Sequence, residues 1–259
     1  KISSSVPFDK IPNLKIDGIA IGEQATSGAL RFFARSDLIG EPDAEPVLRR
    51  YLKAALLTSV VGKSLFENGV DIAVAHHGIY VPQGSLAESA HRARTRLVTW
   101  NPAYRSGCFI FSHDDTYHHT LMNEPKETWR SLEWNDALDR EIRSYLSSRS
   151  RGDDDWISFI HKKPIFDYSA LAAEFGLDER PIVLALTNVA WDAQLHYPVN
   201  AFSNMIDWIL ETISYFGNRT DLQLVVRAHP AEVTGAMPSR QKLTDVLRMK
   251  IPHMPENVI

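Results

Sequence analysis

Leu224-Val225-Val226-Arg227-Ala228-His229-Pro230-Ala231-Glu232 is a short apolar run that breaks into a turn carrying an Arg, a His, a Pro and a Glu. Apolar residues at 222, 224, 225 and 226 make a run of strand length, without the spacing of an amphipathic helix. Pro230 has no N–H to donate and ends the ladder. Arg227, His229 and Glu232 are therefore expected at or just past the carboxyl end of a strand. In open α/β sheets that edge is where ligands bind.

Working outward, Pro181–Thr187 reads as a strand, Ala201–Phe216 as a helix, Leu222–Arg227 as a strand and Ser239–Lys250 as a helix. The first of these strands runs into Thr187-Asn188-Val189-Ala190-Trp191-Asp192, where Thr187, Asn188 and backbone N–H groups suit a phosphate or a sugar. Asn257-Val258-Ile259 looks like the first residues of a further strand, and the chain starts at Lys1 without Met. A piece of a longer protein is the expectation.

The N-terminal part has its own α/β pattern. Residues 1–18 read as an irregular lead-in, and Asp17–Glu23 as a turn or short strand with a Gly-Glu corner. Leu48, Leu52, Ala55, Leu56, Val60 and Leu65 mark a helix between Glu41 and Asn68. Asp71–Ala75 reads as a buried strand running into His76-His77-Gly78-Ile79-Tyr80-Val81-Pro82-Gln83-Gly84. A short helix over Ser85–Arg94 leads to strands at Arg96–Trp100 and Cys108–Ser112, all expected to be parallel. His113-Asp114-Asp115-Thr116-Tyr117-His118-His119 follows, then a helix near Lys126–Ser147. Residues 149–163 are charged and irregular. With the short helix near Tyr168–Phe175 they read as a connector, giving domains at 1–150 and 181–259 joined by 151–180.

Composition narrows the class. The 259 residues are 44% hydrophobic and 23% charged, as in globular proteins. A formal net charge of −4 carries no nucleic-acid footprint. Cys108 is the single cysteine, so neither an internal disulfide nor a CxxC zinc ribbon can form, which fits a reducing compartment. No apolar run approaches the ~20 residues of a membrane span.

Each polar cluster permits a specific chemistry. His76 or His77 can act as a general base near neutral pH, and Gly78 and Gly84 would let backbone approach a ligand. His113, Asp114 and Asp115 with His118 and His119 could hold a divalent cation, could bind substrate, or could be a polar surface loop. Trp129, Trp134, Trp208 and Tyr215 are expected on helices and in the core.

Four segments together resemble bacterial capsule or surface polysaccharide glycosyltransferases. They are His76–Gly84, Phe111–His118, Thr187–Asp192 and Val226–Glu232. Arg227-x-His229-Pro230-x-Glu232 is similar to the His-Pro motif of GT-B enzymes that use CMP-activated sugars, among them Kdo transferases and sialyltransferases. The resemblance implies an α/β fold of two Rossmann-like domains, the C-terminal one expected to be incomplete here. It implies a metal-independent enzyme without cofactor that moves sugar from a nucleotide-sugar donor, a CMP-sugar being favoured, to a glycan or glycolipid acceptor. It implies a cytoplasmic location, with peripheral association at the inner membrane or with a polysaccharide assembly complex.

On that basis Arg227 and His229 are expected on the donor phosphate, stabilising charge on the leaving group. Glu232 would orient His229 or bind a sugar hydroxyl, and Thr187 and Asn188 would line the donor side. His76 or His77 would be the base, with Asp115 and Glu23 as alternatives. Tyr80, Gln83, Asp114 and Tyr117 would meet the acceptor. Two other classes stay open: a metal-dependent hydrolase built on His76, His77, His113, Asp114 and Asp115, and a non-catalytic carbohydrate-binding protein of polysaccharide assembly.

Overall fold

The structure, a computed structural model, describes residues 2–157, 167–197 and 200–259. It is a mixed α/β chain with one sheet of three strands and one of two among helices. The described residues fall into two compact units, 2–29 with 39–157 and 195–197, and 30–38 with 167–194 and 200–259. Part of the connector expected from the sequence, residues 158–166, lies outside the described residues.

In chain order, α1 (Ile2–Ser5) and a 3-10 turn (Phe8–Asn13) precede α2 (Ile21–Phe33) and the long α3 (Ala44–Glu67). Next come β1 (Ile72–His76), α4 (Gln83–Arg92), β2 (Arg96–Pro102) and β3 (Phe109–His113). α5 (Tyr117–Asn123) follows, and two helices, α6 (Lys126–Arg130) and α7 (Asp136–Arg149), occupy the stretch near Lys126–Ser147 in which one mixed helix was expected.

Helix α3 forms because Leu48, Leu52, Ala55, Ser59, Gly62 and Phe66 fall on one buried stripe. Gly62 lets α4 approach, since a Cβ there would lie 2.9 Å from the Ser89 Cβ. Phe66, Ala87, Ala90 and Leu97 then form a small core among α3, α4 and β2. Strands β1 and β2 pair in parallel, with Val74 opposite Val98, through the α4 crossover. β2 and β3 are antiparallel, with Trp100 opposite Phe111, which corrects the all-parallel expectation. Residues 103–108 join them, and so short a link makes a hairpin, because a parallel return needs about a dozen residues or more.

The expected buried strand at β1 is also corrected. Ile72 and Val74 are exposed, because an apolar run is buried on both sides only where both faces of the sheet are covered. Trp129, Trp134 and Tyr215 are likewise exposed, and only Trp208 of the four expected core aromatics packs on a core.

The second unit contains α8 (Tyr168–Phe175), β4 (Ile182–Leu186), α9 (Met205–Gly217), β5 (Gln223–Arg227), α10 (Ala231–Thr234) and α11 (Leu243–Lys250). β4 and β5 are parallel, with Leu184 opposite Val225. Residues 257–259 run beside β5 as expected: Leu224 pairs in parallel with Val258, and Val226 N–H donates to the Ile259 carbonyl at 2.8 Å. Ile206, Ile209, Ile213 and Phe216 of α9 pack on Leu224, Leu243, Val246, Leu247 and Val258 to form the core. β5 is thus the middle strand, and its carboxyl end is where the site begins.

Gly84 shows how tightly α4 is seated. A Cβ on it would run into the amide of Gln24, which is buried and held by Glu88 at 2.8 Å, while Glu88 also takes the Ala20 N–H at 2.6 Å. The close approach expected of Gly84 is therefore to Gln24. Gly84→Ala should destabilise the protein by about 1–3 kcal/mol in denaturant unfolding, although alanine is the better helix former by about 1 kcal/mol. Unchanged stability would show that Gln24 is not fixed there.

Candidate functional site

Two polar constellations stand out, one in each unit. In the second unit the parallel pairing places the carboxyl ends of β4 and β5 side by side. Thr187, just past β4 and buried, gives its N–H and its hydroxyl to the Arg227 carbonyl, both at 3.2 Å. The same hydroxyl oxygen accepts the His229 N–H at 3.1 Å. The His229 ring then turns back on its own loop, and its Nδ1 accepts the Ala231 N–H at 3.1 Å. Since Nδ1 must offer a lone pair, the neutral ring carries its proton on Nε2. Burial is the main cause that lowers the His229 pKa, the Arg227 charge lowers it further, and Asp192 opposes both. His229 is thus an Nε2–H donor within electrostatic reach of Arg227.

In the first unit, five histidines gather near the carboxyl end of β1 and the start of α5. His77, just past β1, has φ 61°, and its ring lies 3.7 Å from that of His76, which is 4.7 Å from Trp100. Gly78 follows with φ 73°, and the methyls of Thr99 and Thr116 fill the space where a Cβ would be. His196 belongs to a 3-10 turn at Gln194–His196. Its Nδ1 lies 3.1 Å from Glu23 Oε1 and its Nε2 2.9 Å from the Thr116 hydroxyl. With Glu23 ionised, Nδ1–H donates to the carboxylate and Nε2 accepts the Thr116 O–H.

His119 stacks on His196, with ring centroids 4.3 Å apart. Its Nδ1 meets Asp115 Oδ1 at 2.9 Å and its Nε2 the His196 carbonyl at 2.6 Å. Both partners are acceptors, so only an imidazolium donates to both. His118 sits edge-on to His196 at 5.3 Å and is 4% exposed. Burial, with the charges of His196, His77 and His119, pushes its pKa down to about 3. Burial also lowers His76.

The residues expected from the sequence separate accordingly. Thr187, Arg227 and His229 come together as anticipated, with Asn188 next in the loop, where its side chain accepts the Val189 N–H at 2.8 Å. Glu232 does something else. It is 2% exposed, and its carboxylate accepts the Leu243 N–H at 3.2 Å, which serves the start of α11. Burial pushes its carboxyl pKa up against that hydrogen bond. Asp114, expected at the acceptor, accepts the Leu97 N–H at 3.1 Å and so anchors β2. Glu23 and Asp115, proposed as bases, each hold a histidine.

Tyr80 (φ 65°) and Gln83 lie in the loop into α4 and at its first residue, and the Tyr117 ring packs 4.0 Å from His118. Among the described residues no group of three or more His, Cys, Asp or Glu is arranged to hold a metal ion, so the metal-hydrolase expectation has no ligand set there. Among them too, no helix is long and apolar enough to cross a membrane. His196 was missed altogether; no motif or periodic element marks it in sequence. Comparison with protein-family models, curated proteins and solved structures returns no match.

His118 makes the fold acid-sensitive in a definite direction. Its folded pKa of about 3 lies below the unfolded value, so the unfolded state takes up the proton first as pH falls. Stability from this group is present above pH ~6.5 and is lost progressively between pH ~6.5 and ~3, at up to about 1.4 kcal/mol per pH unit. Replacing it in His118→Gln should flatten unfolding free energy against pH across that window. An unchanged slope would place the acid sensitivity elsewhere.

Proposed function

We propose that this chain belongs to a glycosyltransferase that moves a sugar from a nucleotide-sugar donor to a glycan or glycolipid of surface polysaccharide assembly. In this reading the units are the two Rossmann-like halves of a GT-B enzyme. The observation that carries it is the shared edge of β4 and β5. There Thr187 ties the two strand ends together, and His229, an Nε2–H donor, feels the charge of Arg227 two residues before it. When the glycosidic C–O bond breaks, negative charge collects on the donor phosphate. A positioned cation and N–H donor stabilise that charge more in the transition state than in the ground state.

Transfer also needs a base for the acceptor hydroxyl. The first unit holds a carboxylate–imidazole pair, Glu23–His196, whose Nε2 already accepts a hydroxyl hydrogen from Thr116. Glu23 fixes the tautomer that leaves Nε2 free of its own proton, as a base requires. The base is thus assigned to His196 with Glu23 behind it, in place of Glu23 itself.

Calorimetry of the full-length protein with CMP, UDP and GDP, together with sugar-transfer assays, tests this. Binding of one of these nucleotides is expected, weakened about tenfold or more in His229→Ala and in Arg227→Ala. Turnover should fall about 10²–10³-fold in either variant. Absence of nucleotide binding, or a His229→Ala variant with unchanged affinity and turnover, would overturn the assignment.

A further inference from the structure

We propose that Arg31 is a second anion-binding guanidinium at the β4–β5 edge, and that it suits the site to a donor linked through a diphosphate. The proposal rests on the phosphate role given above to that edge. It departs from the CMP-sugar expected from the sequence, whose donor has a single phosphate.

Residues 30–38 belong to the second unit. Ala34 forms a small core with Val189 and Trp191 of the loop after β4, and Ala231 and Met237 pack against it. Ala231 is the residue whose N–H holds the His229 ring. One apolar cluster therefore anchors the segment bearing Arg31, the loop bearing Asn188 and Asp192, and the turn after His229. Trp191 is fixed by its Nε1–H, which donates to the Ser239 hydroxyl at 3.0 Å. The Arg31 guanidinium lies over that ring at 5.6 Å and meets Asp192 Oδ1 at 3.3 Å.

Asp192 connects Arg31 to the His229 turn. It pairs with Arg31 and also acts electrostatically on His229, against Arg227. Both members of the ion pair are close to half exposed, with 46% and 40% of their side-chain surface accessible. A pair that wet contributes about 0–1 kcal/mol to stability, which is little reason to hold two charges in register. Two guanidiniums and an Nε2–H on segments that share one apolar anchor, with a carboxylate paired to one of them, match an anion carrying charge at two centres. A diphosphate offers a second charged centre to Arg31, whereas a single phosphate is satisfied by Arg227 and His229. In that account Asp192 keeps Arg31 in place and competes with the ligand for it.

A structural pair and a binding pair predict different signs. The probes are inorganic phosphate and pyrophosphate, with UMP against UDP and GMP against GDP, titrated calorimetrically into the full-length protein. Wild type should prefer each two-phosphate ligand by about tenfold or more. Arg31→Ala should lose that preference and leave one-phosphate affinity within about threefold. Asp192→Asn should tighten pyrophosphate binding several-fold, because it removes the competing anion. Thermal melting of both variants should stay close to wild type.

If both variants weaken one- and two-phosphate ligands alike, the pair merely shapes the loop and the inference is overturned. The phosphate role of the edge would survive that result, provided His229→Ala still weakens phosphate binding. If no phosphate, pyrophosphate or nucleotide binds at all, both fall together.

Discussion

One buried hydroxyl decides the geometry of the β4–β5 edge. Beyond β5 the chain turns at Pro230, and the His229 N–H leaves the ladder with no strand beside it. Thr187 accepts that N–H while donating to the Arg227 carbonyl, so two strand ends share one satisfied polar centre. A buried donor left unpaired there would cost about 1–3 kcal/mol. With His229 backbone fixed, its ring reaches the Ala231 N–H, and that contact chooses the tautomer. The direction in which His229 can donate thus follows from parallel pairing, a missing proline N–H and one threonine.

Parallel strands backed by a helix read as apolar runs, and a proline or polar cluster marks their ends. For that reason Thr187, Arg227 and His229 were legible in sequence, as were β4, α9, β5 and the strand-like 257–259. Glu232 was misjudged because local spacing says nothing about burial. Lys242, at the N-cap of α11, makes no side-chain capping bond. The orphan N–H of Leu243 is served instead by a carboxylate eleven residues upstream. Capping patterns look only at the residue that starts the helix, so a cap delivered from another turn leaves no trace in them.

Helix α2 was hidden by its composition. Gly22 and Gly28 count against a helix, and Gln24, Thr26 and Ser27 blur its apolar stripe. Both glycines answer packing needs: a Cβ at 22 would strike the Ile11 carbonyl, and one at 28 would lie 2.6 Å from the Tyr51 ring. Glu23 was named as a candidate without the helix that carries it. His196 is further from reach. It lies eighty residues from Thr116 and belongs to no periodic element, so its partnership with Thr116 and Glu23 exists only once the chain is folded.

Within the histidine cluster, hydrogen bonding and burial divide the rings by what each can still do. His118 is neutral at ordinary pH, yet a group whose pKa sits near 3 has little appetite for a substrate's proton. His119 has both nitrogens facing acceptor oxygens of the protein, so neither is turned to a substrate. His196 differs from both. Its Nδ1 faces a carboxylate and its Nε2 faces a hydroxyl, the one arrangement of the three that combines an acceptor nitrogen already holding a hydroxyl hydrogen with a charge ready to stabilise the imidazolium it would become. The same logic reassigns the carboxylates Glu23 and Asp115, named in sequence as alternative bases: each meets a ring Nδ1, of His196 and of His119, and a carboxylate so placed sets which ring nitrogen is basic.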